Sequence, residues 1–343
     1  MKKRVGSIIT VVFCMMVSFA AAQNMSFAID EKANRVIGHF SGPVVEALYV
    51  DMPIPREIPE EVTCKVKDIR ITQKALEKAL SGLIYDDHPH SFNIDPAPAW
   101  SNYVYEDATI PAGYEYDGEP FISDRVDKTA EIAQAQQIAA TLLNRLAIDY
   151  MEPFYFVGRK EDFFSKRYPL SQEEAGQWER GGSHVWENDE LTLIVAQYDL
   201  GGLPQAEWFI ANANTRGGYD YGGAAYIVVD DAGKIVFAKI FSPRQYVESL
   251  ADQTEVIPWQ EALEAFISYR TQTPFPAKSI RNWTGTLVYM ELCVFADQNG
   301  RTYPVWKLIE DRLYDYTDFK GNPMTCGGMS WLYVDAISGI VMP

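Results

Sequence analysis

TYPVWKLI at 302–309, DRLYDYTDFKGNPMTCGG at 311–328 and MSWLYVDAISGIV at 329–341 read as strand, connection and strand. In the third piece Trp331, Tyr333, Asp335 and Ile337 would share one face of a strand, and Leu332, Val334 and Ala336 the other. Ser338 and Gly339 follow at once, so the chain can turn there and return through Ile340 and Val341 as a short partner strand. Two earlier stretches repeat the design: AAYIVVDDAGKIVFAKIF at 224–241 and LVYMELCVFADQNGRTYPVWKLI at 287–309. In each, a run of β-branched and aromatic residues meets a small polar turn, Asp231-Ala232-Gly233 or Asn299-Gly300, and comes back.

Working outward, three stretches carry helical spacing. Thr72 has the form of an N-cap for QKALEKALSGL, with Leu76, Ala79, Leu80 and Leu83 on one side. Ser123 can cap 124–148, where Val126, Ala130, Ala133, Gln137 and Ala140 form a stripe. Ile132, Ile138, Leu142 and Leu146 widen that stripe into a face for packing on a sheet. Pro258 opens WQEALEAFISYR, and Pro274 and Pro276 end it.

Strands are expected at 62–71, 154–157, 191–200 and 207–212, with a short helix at 171–180. Residues 43–52 can be extended, after which Pro53, Pro55 and Pro59 forbid regular helix and interior strand and leave a linker or edge segment. In the irregular stretch 85–120, Trp100, Tyr103, Tyr105, Tyr114 and Tyr116 alternate with polar residues, which suits a hairpin covering the core. The predicted class is therefore α+β: antiparallel β-hairpin sheets, each packed against one or two amphipathic helices. Three mature segments follow, 23–122, 123–245 and 246–343.

Residues 1–22 have the form of a signal peptide. Lys2, Lys3 and Arg4 precede an apolar run from Ile8 to Phe19, and Ala20-Ala21-Ala22 offers a cleavage site with Gln23 as the mature start. The alternatives are a retained anchor, for which the run is short, and lipid attachment at Cys14, which the bulky Phe13 disfavours. Secretion or display on the outer face of the membrane is the expected location. Without the three leader cations the chain carries 27 Lys and Arg against 47 Asp and Glu, a formal charge of −20. So acidic a surface repels phosphate backbones, which argues against nucleic-acid partners.

Beyond the leader the cysteines are Cys64, Cys293 and Cys326, an odd number that cannot pair completely within one chain. Either all three are free thiols, or Cys293 and Cys326 meet on neighbouring strands. The cluster Asp86-Asp87-His88-Pro89-His90 resembles a metal site locally, but nothing nearby completes a ligand set and a solvated turn is the expectation. No metal or other cofactor is expected. The loop 212–223, with Arg216, Tyr219 and Tyr221 among glycines, is the candidate ligand-binding element; it lacks the strand-then-helix context of a phosphate loop, so nucleotide is not expected.

The helix at 258–270, the strands at 287–296 and 303–308, and the closing Trp331-Leu332-Tyr333-Val334-Asp335-Ala336-Ile337-Ser338-Gly339 resemble a PepSY-type unit, whose last strand ends in a V-D-A-x-x-G pattern. Pro304-x-Trp306 before that strand is also similar to the YycH/YycI class of extracellular regulators and to uncharacterised exported proteins of Gram-positive gut bacteria. The resemblance implies tandem PepSY-like units, with 246–343 the C-terminal one, and a non-catalytic module that inhibits proteases or modulates membrane sensors. Asp335 and Gly339 are structural turn positions under it, and it transfers no catalytic residue.

The chain holds no G-x-S-x-G, H-E-x-x-H or S-x-x-K motif. An exported, non-catalytic binding or regulatory module acting on an extracellular protein or peptide is the first expectation. A glycan-binding protein using exposed aromatics is the alternative, and a hydrolase with paired carboxylates a distant third.

Overall fold

The computed structural model describes residues 27–95, 101–107, 114–116, 132–159, 163–166, 190–206, 223–251, 255–273, 280–297, 299–317 and 322–342. Strands make up 52% of these and helices 16%, so the expected α+β class of tandem helix-and-sheet units is overturned: the protein is mostly β. The tandem picture fails because strand pairing is not confined to chain neighbours. β1 (Ala28–Asp30), β2 (Arg35–Phe40) and β3 (Ala47–Pro53) join β14 (Ile280–Ala296), β15 (Thr302–Thr317), β16 (Pro323–Asp335) and β17 (Val341–Met342) in one seven-stranded sheet. The seam is parallel, with Ala47 to Val50 beside Thr284 to Leu287, so the sheet is mixed.

A second sheet of six strands runs β5 (His90–Asp95), β6 (Asn102–Asp107), β12 (Ile235–Phe241), β11 (Ala224–Asp230), β10 (Glu190–Gln197) and β8 (Phe154–Arg159). Its described pairings are antiparallel. Two small pairs complete the strands: β4 (Cys64–Asp68) with β13 (Arg244–Ser249), and β7 (Tyr114–Tyr116) with β9 (Phe164–Lys166).

The two large sheets pack face to face. Phe156, Leu191, Leu193, Val195, Tyr226, Val228 and Phe237 of one meet Ile309, Val288, Tyr289 and Trp331 of the other. Burial on both faces explains why β11 reads as a continuous apolar run rather than an alternation. Helices cover the outer faces. α1 (Gln73–Leu80) and α2 (Ala133–Arg145) pack on the far side of the six-stranded sheet through Leu76, Leu80, Ile138 and Leu142, against Ile194, Ile227 and Tyr105. α3 (Trp259–Gln272) lays Ala262, Leu263, Phe266 and Ile267 on the other sheet, over Leu48, Met52, Trp306 and Val334.

Local signals act as the residues dictate. Thr72 accepts from the Ala75 N–H at 3.2 Å and caps α1. On α2 the buried face is Ile132, Ile138, Leu142 and Leu146, whereas Ala133 and Gln137 are exposed, so the alanine stripe does not face the sheet. The turns at Gly233 and Gly300 join β11 to β12 and β14 to β15. Asp335 Oδ1 accepts the N–H groups of Ile337 and Ser338 at 2.9 and 2.7 Å, and Gly339, at φ 71°, reverses the chain so that Val341 and Met342 pair with Val334 and Tyr333.

The stretch 311–328, expected as a connection, is mostly strand. β15 and β16 stay in register from Asp311 beside Met329 to Thr317 beside Pro323. Its polar composition suits a ribbon that runs past the core, where Leu313 is 54% and Met324 45% exposed. This register also separates Cys326 from Cys293. β15 lies between their strands, and Val305, the partner of Cys293, sits beside Asp335, nine residues from Cys326 or about 30 Å along the strand. Cys64 and Cys293 are buried free thiols. The expected helix at 171–180, the strand at 207–212 and the start of the 124–148 helix lie outside the described residues, as do Ala22 and Gln23.

Candidate binding cleft

β14 is covered unevenly along the edge facing away from β15. β3 pairs with it as far as Leu287. Farther on, Val294 donates its N–H to Pro204 O at 3.0 Å and accepts from the Ala206 N–H at 2.8 Å. Between these two seams, among the described residues, no strand pairs with β14 on this side. Two features hold the gap open. Pro53 ends β3 and, with Pro55 and Pro59, cannot supply the N–H groups that would continue the ladder. On the other side the turn at 200–203, closed by Leu200 N–H to Leu203 O at 2.9 Å and by Gly202 N–H to Asp199 Oδ1 at 2.6 Å, carries the chain in at Pro204.

The result is a cleft of about 320 Å³. Its floor is Tyr289, Met290, Glu291 and Leu292; its walls are Ile54 to Glu57 on one side and Leu203 and Pro204 on another, with Met151, Glu152 and Phe154 closing it. Val294 turns its backbone toward 204–206, so the strand alternation turns the backbone N–H and C=O of Leu292 and Met290 toward the cleft as well.

The side chain of Glu291 is fixed by three donors. Gln197 Nε2 reaches Oε1 at 2.9 Å, Tyr289 OH reaches Oε2 at 3.1 Å, and Lys307 Nζ lies 3.5 Å from Oε1. Glu291 and Lys307 stand opposite each other in the β14–β15 ladder. Phe154 meets Tyr289 edge to face with centroids 5.8 Å apart. The floor thus combines an open strand edge, an aromatic wall and an anchored carboxylate. Both oxygens of Glu291 are engaged by protein donors, which holds the carboxylate in place.

Below the floor lies Cys293, at 0% exposure, whose thiol burial pushes well up, with Glu291 adding to the rise. On the opposite face of the same sheet Glu310, fully buried, lies 2.6 Å from Arg270 Nη2 and 3.0 Å from Arg312 Nε, and the Arg270 guanidinium sits 5.6 Å from the Phe266 ring. This triad pins α3 to β15 and does not open on the cleft.

Arg216, Tyr219 and Tyr221 lie outside the described residues. Asp335 and Gly339 form the terminal turn and are not part of the cleft. In the Asp86 to His90 cluster, His88 Nδ1 is 3.0 Å from the buried Asp107 Oδ2, and its ring stacks on Tyr85 at 4.3 Å. Burial pushes the Tyr105 hydroxyl up, and Asp107 adds to the shift. Among the described residues no group of three His, Cys, Asp or Glu side chains could hold a metal, and no helix is long and apolar enough to cross a membrane.

Neither a family profile nor a curated protein matches the chain. A solved structure that it matches is that of an uncharacterized protein from Eubacterium rectale, with a TM-score of 0.55 and 15% identity over 89% of this chain and 93% of that one. A likeness at that identity carries the fold alone.

The cleft residues come from six separate stretches of the chain, so no local motif announces them. One signal was present: Glu291 in LVYMELCVF and Lys307 in PVWKLI are single charges inside apolar strands of one hairpin. Charges in such runs are paired or functional.

Proposed function

We propose that this protein is an exported, non-catalytic binding module that takes an extended segment of an extracellular or membrane protein into the cleft on β14. The observation that supports it most is the interrupted strand edge: Met290 and Leu292 offer main-chain donors and acceptors at the floor of an open cleft. An extended peptide satisfies such an edge by adding as a strand, with main-chain bonds supplying affinity and flanking pockets supplying selectivity. A volume of about 320 Å³ stands at the small end of ligand sites, near 300 Å³, and matches a few residues of a chain rather than a folded domain. The formal charge of −17 on the whole chain disfavours polyanionic partners. The leader-like 1–22 supports action outside the cell.

The test is a crosslinking pull-down of the mature chain from membrane and secreted fractions of its host, beside a glycan array, with Met151→Trp as a cleft-filling control. A protein captured by the native chain and lost with Met151→Trp supports the proposal. Capture that survives the substitution, or array hits without protein capture, contradicts it and favours a surface elsewhere.

A further inference from the structure

We infer that the cleft selects a basic residue, Lys or Arg, at the peptide position that lies beside Glu291. The inference rests on the peptide-binding proposal above and adds the chemistry of the segment. Along one face of the sheet, charge alternates across the ladder: Lys307 on β15 stands opposite Glu291 on β14, 3.5 Å from its carboxylate. A strand added on the other side of β14 places one of its side chains next to Glu291, where opposite charges on neighbouring strands attract and like charges repel.

The surroundings favour a cation on a long apolar stem. Phe154 and Tyr289 present an aromatic wall and Met151 and Leu203 an aliphatic one, against which the methylenes of Lys or Arg pack while the head reaches polar groups. At the mouth stand the exposed Glu57 and Glu152, with Arg56 as the cation of the lining. The three carboxylates of the lining therefore outnumber Arg56, with Lys307 behind Glu291 as a further positive charge. A glutamate in the same peptide position would face the Glu291 carboxylate. The mature charge of −20 extends the same preference to the approach of the partner.

Two methionines in the lining supply reporters for the test. The full mature chain is labelled with ¹³C-methyl methionine, and the Met151 and Met290 signals are followed while pentapeptide pools are added. The pools are degenerate at four positions and hold Arg, Lys, citrulline, norleucine or Glu at the centre. Citrulline keeps the shape of arginine and removes its charge. The expected result is that Arg and Lys pools shift both methyl signals and bind about tenfold or more tightly than the citrulline pool, the scale of one charge-assisted hydrogen bond. In Glu291→Gln, Arg and citrulline pools should converge, and because that change touches Lys307, a Glu152→Gln, Glu57→Gln variant gives a second reading in which the ratio should narrow. Equal binding of Arg and citrulline pools overturns the basic selectivity and leaves peptide binding standing. No shift of either methyl signal with any pool overturns both.

Discussion

Gln197 Nε2 donates to Glu291 Oε1 at 2.9 Å, and this bond ties the end of β10 in the six-stranded sheet to the middle of β14 in the seven-stranded one. Gln197 is 5% exposed, and the bond is partly buried at the edge of the cleft. A hydrogen bond to a charged group contributes about 1.5–3 kcal/mol. Gln197→Ala should lower stability in urea unfolding by that amount, and combining it with Glu291→Gln should cost less than the two changes separately, because both remove the same contact. Additive costs would show that the sheets are joined by something else.

Glu310 is the second anchor. Its carboxylate is at 0% exposure between Arg270 and Arg312, and breaking a buried pair by removing one partner costs about 3–5 kcal/mol. Glu310→Gln should therefore destabilise far more than a surface change. Replacing both sides at once, as in Glu310→Leu with Arg270→Met, should recover much of the loss, as apolar replacement of buried pairs does. Equilibrium unfolding of the single and double variants decides it.

The β14–β15 turn is held from two directions. Gly300 has φ 75°, and a Cβ there would come 2.2 Å from Val66 O, while Val66 N–H donates to Gly300 O at 2.7 Å. Gly300→Ala is expected to cost more than about 1 kcal/mol and to loosen β4, measurable as faster amide exchange at Val66.

Asp297 in the same turn gives a pH dependence. Slight burial raises its carboxyl, but the N–H groups of Arg301 and Asn299 outweigh that and hold it below the usual range. A depressed folded value contributes stability above the unfolded value, near pH 4, and that contribution is lost as pH falls through the folded value. Stability of the native chain should fall on acidification below about pH 4, and Asp297→Asn should show a shallower fall. Identical acid profiles would remove the turn from the account.

Cys64 and Cys293 are buried, and burial pushes both thiols up. Cys64 and Cys293 should resist alkylation in the native chain and react on unfolding, read by mass spectrometry of the labelled peptides. Native labelling of Cys293 would mean that the floor of the cleft opens.

The hairpins were legible because each carries its own turn chemistry: Asp231 to Gly233 and Asn299-Gly300 leave few other conformations for the chain. α1 and α3 were legible from a cap and from flanking prolines. The extent of β15 and β16 was not, since 311–317 and 323–329 run past the core and bear the polar residues of a loop. The parallel seam of β3 and β14 left no local trace, because it joins residues more than 200 positions apart in sequence. The cleft shared that fate. Its prolines mark a linker or an edge segment, and what that segment borders depends on where β14 lies.

The most direct measurement places a photo-crosslinking residue at Glu152, on the rim of the cleft, and a second at Lys74, on the exposed face of α1, in otherwise native chains exposed to the host's extracellular fractions. The expected result is a crosslink from position 152 to one short segment of a protein, with Lys or Arg within it, and none to that segment from position 74. Equal crosslinking from both positions, or none from 152 beside a captured partner, would contradict peptide binding at β14.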